Sequence, residues 1–385
     1  MAPLQVSKQE FWRGKRVLIT GHTGFKGSWL AYWLHLLGAR VMGYAHAPHT
    51  DPSLFQLLAL DELFASQRGN ITDAAALARF MDQVQPEFVF HLAAQAQVLP
   101  SYADPGGTFA TNVLGSAAVL DAVRTCGSVR VCQIVTSDKC YAQPGTGQAF
   151  LEDDALGGRD PYSASKAAAE ILVAAYRSAY FSRSQSCSIA TVRAGNALGA
   201  GDWSGQRILP NSVRALMAGS PIGLTHAQAV RPWQYVLEPL SGYLCLARHQ
   251  FEDPQAFAEA WNFGPNPSSA VSVLDLTQQV IQAWGSGSVE YRAAEEARPQ
   301  EPFLTISIAK ARDRLAWRPS YDIAQTVRAT VAGYKGLYAV MGTEGATQSV
   351  RALCAADIAA YTQSARQHDI AWADAHPNGF TDAAN

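Results

Sequence analysis

The sequence has little charge and almost no charge imbalance. Charged residues make up 16% of the 385 residues, and 30 basic side chains against 32 acidic ones leave a formal net charge of -2. Proteins that bind nucleic acid through phosphate contacts usually carry a basic surface, so this balance argues against a nucleic-acid partner. The 48% of hydrophobic residues are typical of a folded protein with a large core, and the length predicts two domains.

Cysteine is scarce and is not spaced for metal binding. The six cysteines form no Cys-x-x-Cys or Cys/His pattern and lie mostly in apolar context, which favours buried thiols in a reducing compartment and no metal site. Residues Met1 to Trp12 contain no apolar core of signal-peptide length, and no apolar run reaches the length of a membrane span. These absences predict a cytoplasmic protein that does not bind a membrane.

A glycine-rich loop follows the first apolar run of the chain. Residues 15–20 predict a strand, and the apolar residues from Trp29 to Leu37 recur at helical spacing. Between them, Gly21, Gly24 and Gly27 permit a tight turn and close approach of the backbone to a ligand, while the helix N-terminus favours a pyrophosphate. Strand, glycine loop and helix in this order predict a dinucleotide site; a glycine turn that serves only packing is the alternative.

The second predicted strand, at residues 40–44, bears on the choice of dinucleotide. A carboxylate after it would favour NAD, and an arginine would accept the 2′-phosphate of NADP. The sequence continues Ala-His-Ala-Pro-His, which contains neither. Because no lysine or arginine lies between Arg40 and Arg68, we expect NAD.

The residues that carry chemistry lie in two short stretches. An apolar run predicts a buried strand that ends just before Ser137, Asp138 and Lys139, where a parallel sheet places its catalytic groups. Tyr162 and Lys166 are four residues apart and therefore share one face of a predicted helix. A close ammonium favours the phenolate, so the pair is expected to lower the tyrosine pKa from ~10 towards neutrality and to act as a base. The alternative is a tyrosine and a lysine that merely line a helix.

Strand and helix patterns alternate along the chain. Six strands, the sixth at residues 188–193, predict an α/β class fold with a doubly wound parallel sheet, and residues 260–265 predict a last strand that returns to it. His91 lies among apolar strand neighbours and is expected to be packed rather than catalytic. Long helices are predicted at residues 104–126 and 162–181. The second is apolar on nearly every side, which predicts a partner subunit.

The composition changes near residue 194, where stretches rich in Gly, Pro and Trp with short elements begin. We predict a dinucleotide-binding domain of residues 1–197 and 236–265. A smaller, chain-interleaved C-terminal substrate domain, residues 198–235 and 266–339, is expected to close over the cofactor. Residues 340–385 form a tail to which the sequence assigns no role.

Several motifs together resemble those of the extended short-chain dehydrogenase/reductases, an NAD-dependent epimerase/dehydratase family with a Rossmann sheet. They lie at residues 20–27, 136–141, 162–166, 195–196, 201–203, 231–234 and 261–265. More narrowly, Ser-Asp-Lys-Cys-Tyr and Arg-Pro-Trp-Gln look like those of the CDP-glucose 4,6-dehydratases. Most sugar-nucleotide dehydratases instead carry Thr-Asp-Glu at the positions of Ser137, Asp138 and Lys139.

The resemblance implies a hydro-lyase that uses NAD and a nucleotide-sugar substrate, CDP-glucose, in deoxysugar biosynthesis. Tyr162 would take the proton of the C4 hydroxyl, and Lys166 would hold the nicotinamide ribose. Ser137 would bind the sugar C4 oxygen, Asp138 would protonate the departing C6 hydroxyl, and Lys139 would take the C5 proton. The family also implies a homodimer or homotetramer.

The resemblance further implies two sets of binding residues. The cofactor set is Gly21, Thr23, Gly24, Phe25, Gly27, Asn70, Ile71, Leu92, Ala93, Ala94, Gln95, Thr111, Tyr162 and Lys166. The substrate set is Asn196, Arg207, Arg231 and Glu301, with the two arginines suited to a diphosphate. Leu99 and Asn70 depart from the family pattern, since the family usually has a basic and an acidic residue there.

Three other functions remain open on the sequence. A nucleotide-sugar 4-epimerase needs Tyr162 and Lys166 but has no use for Asp138 and Lys139 as an acid–base pair. A dehydratase of another nucleotide sugar would keep all four residues. A dinucleotide-sensing binding protein would need none of them for chemistry.

Overall fold

A computed structural model describes residues 10–142, 148–182, 187–205, 207–293 and 304–373. The strands are β1 Arg16–Thr20, β2 Arg40–Ala45, β3 Ala65–Arg68, β4 Phe88–His91, β5 Val131–Val135, β6 Ser188–Ala194, β7 Ala197–Leu198, β8 Ile222–Leu224, β9 Val230–Pro232, β10 Gln234–Tyr235, β11 Ala260–Phe263, β12 Ala270–Ser272 and β13 Val289–Tyr291. The α-helices are α1 Phe25–Leu36, α2 Leu54–Leu57, α3 Leu60–Leu63, α4 Ala74–Val84, α5 Val98–Ala103, α6 Pro105–Phe109, α7 Gly115–Thr125, α8 Pro161–Tyr176, α9 Ile208–Met217, α10 Leu237–Glu252, α11 Val273–Trp284, α12 Ala309–Leu315, α13 Ile323–Val340 and α14 Ala346–Gln367.

Seven of these strands form one parallel sheet in the order β11-β6-β5-β4-β1-β2-β3. The order runs outward in both directions from β1 and β4, so the chain reverses its direction of winding between these two central strands. Ligands of such sheets bind at the carboxyl ends of the strands beside this reversal. The predicted α/β fold with a doubly wound parallel sheet is therefore confirmed.

Alternating side chains of each strand face two separate cores. On one side, Val17 and Ile19 of β1 pack with Trp29 of α1 and with α10. On the other side, Leu18 packs with residues of α4, α7 and α8, among them Val119. Both faces of a parallel sheet are covered in this way, which is why its central strands read as continuous apolar runs.

The edge strand β3 gave no apolar run in the sequence, and no residues were assigned to it there. Its sequence is Ala-Ser-Gln-Arg, and most of its side chains are exposed. An edge strand pairs on one side only and tolerates polar residues, so hydrophobic periodicity does not reveal it. The long helix predicted at residues 104–126 is divided into α6, a π-helical segment Ala110–Leu114, and α7.

The C-terminal region contains a long helix that the sequence left without a role. Helix α14 buries Val350, Cys354, Ile358 and Tyr361 and lies against α13 and α1. The ring of Tyr361 meets that of Trp33 on α1 edge to face, with 6.0 Å between centroids. This helix therefore extends the core on the α1 side of the sheet.

Short strands between residues 197 and 291 make three two-stranded sheets, β7 with β10, β9 with β12, and β8 with β13. All six cysteines lie in the described part of the chain and are buried free thiols, as the sequence predicted. Among the described helices, none combines the length and apolarity that crossing a membrane requires.

Candidate active site

The reactive turn, residues Ser137–Cys140, begins just beyond the carboxyl end of β5. The Ser137 hydroxyl caps the short 3-10 helix Asp138–Cys140, accepting a hydrogen bond from the Lys139 amide at 3.2 Å. The same hydroxyl donates to Asp138 Oδ1 at 2.8 Å. A Cβ at Gly195 would lie 2.3 Å from Asp138 Oδ2, so a side chain there would displace the buried carboxyl.

Helix α8 brings Tyr162 and Lys166 to the same strand end. Pro161 occupies its first turn, and the Asp160 side chain caps it by accepting from the Ser163 amide at 3.0 Å. The Lys166 ammonium donates to the backbone carbonyl of Val135 at 3.0 Å. Since Val135 ends β5, this bond fixes α8 against the reactive turn, and the two stretches predicted to be catalytic do lie together.

Burial sets the pKa of Tyr162 in the direction opposite to our expectation. Burial of the phenol raises its pKa to about 12, which outweighs the hydrogen bond with Ser137 and the charge of Arg207, both of which lower it. The ammonium of Lys166 bonds to a strand carbonyl, and burial together with the charge of Lys26 lowers its own pKa to about 8. In the free protein Tyr162 is therefore a phenol, and the predicted shift towards neutrality was wrong.

Lys139 has the electrostatic surroundings that a lysine base needs. Burial lowers its pKa, and the nearby guanidinium of Arg231 adds to this effect. The carboxylates of Asp138 and Asp160 oppose both by stabilising the ammonium. Desolvation is the largest of these influences, so the neutral amine is more accessible here than in water.

Lys26 is a site residue that the sequence reading missed. It is half-buried in the first turn of α1, inside the glycine loop. Burial and the charge of Arg207 lower its pKa to about 8, while Asp138 and Asp202 raise it. Its ammonium thus belongs to the charge cluster of the reactive turn. Its position between two loop glycines is the signal that could have identified it.

The glycine loop fits a dinucleotide in this structure. Gly21 has a φ of +76°, and a Cβ there would lie 2.6 Å from the Ala93 amide nitrogen, while a Cβ at Gly27 would lie 2.1 Å from the Gly21 oxygen. At Gly24 a Cβ would meet only the Gly21 oxygen, at 3.4 Å, so packing does not require glycine there. Gly24 precedes α1, and no side chain caps the helix. Open space before the uncapped amides of a helix suits a pyrophosphate.

Other predicted cofactor residues lie at the carboxyl ends of the strands, on both sides of this loop. The backbone at Leu92 and Ala93 donates to Thr20 of β1, and the Gln95 amide donates to Asn112 Oδ1 at 2.9 Å. Ala94 lies between them, and Thr111 lies in the π-helical segment that contains Asn112. Phe25 opens α1. Together they border the carboxyl ends of β1 and β4.

Thr23, Asn70 and Ile71 lie towards the β2 and β3 side of the sheet. The Thr23 hydroxyl donates to the His46 carbonyl at 2.9 Å, which ties the glycine loop to the segment after β2. Asn70 and Ile71 follow β3 and are separated from the β5 end by three strands. They lie away from the reactive turn.

His91 is packed, as predicted. Its ring nitrogens bond Thr20 Oγ1 at 2.7 Å and Ser116 Oγ at 3.1 Å, and burial lowers its pKa to about 3. A neutral imidazole in a strand, with both ring nitrogens hydrogen-bonded, contributes to packing rather than to acid–base chemistry.

Of the predicted substrate residues, the two arginines differ in their attachment. Arg207 donates to Asp202 Oδ2 at 2.8 Å and is partly exposed. Arg231 donates to the Val230 carbonyl at 2.8 Å, and burial lowers its pKa against the opposing influence of Asp138. The charge of Arg231 thus acts on the reactive turn, whereas that of Arg207 acts on Tyr162 and Lys26 beside it.

The other predicted substrate residues give less information. The Asn196 carbonyl accepts from the Gln234 amide at 3.0 Å, which pairs the loop after β6 with β10. Leu99, which was noted as a departure from the family pattern and not as a substrate residue, lies on α5 with 46% of its surface exposed. Glu301 lies outside the described residues.

Comparison with known proteins identifies several relatives. The family model of GDP-mannose 4,6 dehydratase matches residues 18–330. A CDP-glucose 4,6-dehydratase of Salmonella typhimurium is 38% identical over 331 residues, which cover 85% of this chain and 92% of that protein.

Two solved structures share the fold. A dTDP-glucose 4,6-dehydratase of Bacillus anthracis in complex with NAD has a TM-score of 0.70 and 21% identity, over 84% of this chain and 97% of that one. A UDP-glucose 4-epimerase of Thermotoga maritima with UDP-glucose also has a TM-score of 0.70 and 21% identity, over 83% and 98%. At these identities the likeness shows the fold alone.

Proposed function

Since this chain belongs to the GDP-mannose 4,6 dehydratase family, we propose that it is an NAD-dependent nucleotide-sugar 4,6-dehydratase whose substrate is CDP-glucose. The product is the 4-keto-6-deoxy sugar, formed by oxidation at C4, loss of water across C5 and C6, and return of the hydride to C6. The observation that carries this proposal is the convergence of Ser137, Asp138 and Lys139 with Tyr162 and Lys166 at one strand end.

Bound at the glycine loop, NAD supplies a hydride acceptor that is regenerated in each turnover. Tyr162 takes the proton of the C4 hydroxyl, and Lys166 holds the ribose beside it. Because burial keeps Tyr162 a phenol in the free protein, the base must form when substrate and cofactor fill the site. Arg207 is the cation whose charge lowers the pKa of Tyr162 and so favours that change.

The residues of the reactive turn carry out the elimination of water. The C4 ketone acidifies the C5 proton, Lys139 takes that proton as a neutral amine, and Asp138 gives a proton to the departing C6 hydroxyl. Neutral lysine beside protonated aspartic acid is a self-consistent pair, whereas the doubly charged pair would be inert. Burial and the charge of Arg231 both lower the pKa of Lys139, which supports its assignment as the base.

The substrate diphosphate is held by Arg207, Arg231 and Asn196. Arg207 and Arg231 come from the segments that we assign to the smaller substrate domain, residues 198–235 and 266–339. The charge of Arg207 acts on Tyr162, and that of Arg231 acts on Lys139. Asn196 precedes those segments, at the end of residues 1–197. We keep Glu301 as a fourth contact on the family resemblance only.

A second copy of the chain completes the assembly in this proposal. Leu114 at the end of the π-helical segment, Ile171 on α8 and Tyr180 in the π-helical turn that follows α8 are all more than half exposed in the single chain. Apolar groups in this arrangement favour an interface between copies through residues 104–126 and 162–181. A monomer at micromolar concentration in sedimentation would contradict this.

The decisive experiment measures turnover without added reductant on CDP-glucose, dTDP-glucose, UDP-glucose and GDP-mannose, with Tyr162→Phe as the inactive control. We expect a product lighter than CDP-glucose by one water. Dehydration of a different nucleotide sugar would refute only the substrate. A product of unchanged mass with inverted C4 would indicate an epimerase. The absence of any product would indicate a protein that binds the dinucleotide without catalysing a reaction.

A further inference from the structure

A buried ion pair lies directly behind the reactive turn. Arg193 of β6 and Glu170 of α8 are joined by a bond of 2.8 Å, and their side chains are 3% and 2% exposed. Removing two charges from water is costly, and a well-packed apolar pair is often as stable or more so. The contacts of this pair therefore indicate what it does.

Glu170 reaches the N-terminal side of the turn. Its carboxylate accepts hydrogen bonds from the Thr136 hydroxyl and, at 2.7 Å, from the Thr191 hydroxyl. Burial alone would raise its pKa, but Arg193 and these hydroxyls hold the pKa below its usual range, so the group stays ionised. Thr136 immediately precedes Ser137.

Arg193 reaches the C-terminal side of the same turn. Its Nη1 donates to the Tyr141 hydroxyl and to the Glu152 carbonyl, both at 2.8 Å. The Tyr141 hydroxyl in turn donates to Asn262 Oδ1 at 2.7 Å, so the phenol is fixed from two sides. Tyr141 immediately follows Cys140.

Both ends of the turn are thus bonded to one ion pair, and Glu170 also lies one turn beyond Lys166 on α8. We propose that the Glu170–Arg193 pair, acting through Thr136 and Tyr141, is a positioning unit that sets the elimination residues against the oxidation residues. It touches no substrate in this role. The inference rests on the proposed function, because it concerns the spacing of two half-reactions.

The spacing matters because one sugar must satisfy both groups of residues in succession. Tyr162 acts at C4, whereas Asp138 and Lys139 act at C5 and C6 of the same ring. A misplacement of about 1 Å can lower a rate on the order of 10²-fold. If the turn shifts while α8 keeps its place, oxidation continues and elimination slows.

Tyr141→Phe is the mildest test, since it removes only the hydroxyl between Arg193 and Asn262. We expect kcat to fall roughly tenfold with little change in KM. Reduced cofactor should accumulate on the enzyme, seen by its absorbance, because the second half-reaction is slowed. Tyr361→Phe, which removes a buried hydroxyl bonded to Glu238 far from the turn, is the matched control and should not accumulate reduced cofactor.

Replacing Glu170 and Arg193 together distinguishes a positioning role of the pair from mere compensation of two buried charges. Glu170→Leu and Arg193→Met singly should destabilise the fold, since each leaves a buried charge unpaired. The double variant should recover its melting temperature but not its rate of elimination. A folded double variant with wild-type elimination, or a Tyr141→Phe enzyme with wild-type kcat and no reduced cofactor, would overturn the proposal. A wild-type enzyme that turns over no nucleotide sugar would instead refute the proposed function.

Discussion

Replacing Lys139 by methionine tests the assignment of the C5 base. An ammonium cannot accept a proton, so the reaction needs the neutral amine. Burial and Arg231 favour the neutral form, while Asp138 and Asp160 oppose it. Methionine keeps the length and apolar stem of the side chain and removes the amine. Loss of a positioned general base typically lowers a rate by ~10²–10⁴-fold, and we expect elimination to fall by this amount.

The assay follows the two half-reactions in a single turnover. The Lys139→Met enzyme should still form reduced cofactor, because Tyr162 and Lys166 are unchanged. Deuterium from the solvent should no longer enter C5 of the sugar. Asp138→Asn is the informative partner, since it should slow loss of the C6 hydroxyl yet still allow exchange at C5.

Two outcomes would refute the reasoning. A Lys139→Met enzyme that eliminates water at nearly the wild-type rate would show that water or another group takes the proton. A Lys139→Arg enzyme with wild-type elimination would show that the residue acts only as a cation, because the guanidinium cannot serve as a base at neutral pH.

Three further predictions address binding, pH and stability. Arg231→Met removes a cation that lowers the pKa of Lys139, so the rising limb of the kcat/KM profile should move to higher pH and KM should increase; an unchanged profile would contradict the pairing. Burial raises the pKa of Glu238 from 4.5 to about 7, so this group's contribution to stability is present below that window and is lost as pH rises through it. Glu238→Gln should flatten the pH dependence of unfolding by roughly 3 kcal/mol, measured by denaturant titration on both sides of the window; an identical slope in both proteins would argue against it. Gly24→Val should fold normally but carry no NAD after purification, because the side chain fills the space before α1, whereas Gly27→Ala should already be destabilised by its contact with the Gly21 oxygen; a Gly24→Val protein that retains NAD would place the cofactor elsewhere.

The sequence was informative wherever function depends on local chain geometry. Tyr162 and Lys166 lie four residues apart on α8, and Ser137 to Lys139 follow an apolar strand, so both were placed correctly before any contact was known. The packed role of His91 followed from its apolar neighbours. Glycine spacing located the loop before α1 for the same reason.

Sequence reasoning failed wherever the decisive partner lies far along the chain. Glu170 and Arg193 belong to α8 and β6, and neither carries a signal of its contact with the other. Lys26 was passed over although it lies between two loop glycines, because its approach to Asp138 and Arg207 is a long-range contact that the sequence does not show. The pKa of Tyr162 was predicted in the wrong direction because spacing reveals a neighbouring lysine but does not reveal the extent of burial.

Short-range order and hydrophobic alternation were thus determined by the sequence itself, since they depend on helix and strand periods that each segment carries alone. These periods predicted the parallel sheet and the positions of the two stretches proposed to be catalytic. Only the tertiary structure decided which buried groups keep their charge, because desolvation and ion pairing depend on atoms that meet after the chain has folded. The shifted pKa values of Lys139, Tyr162 and Glu170 arise from such contacts and from burial.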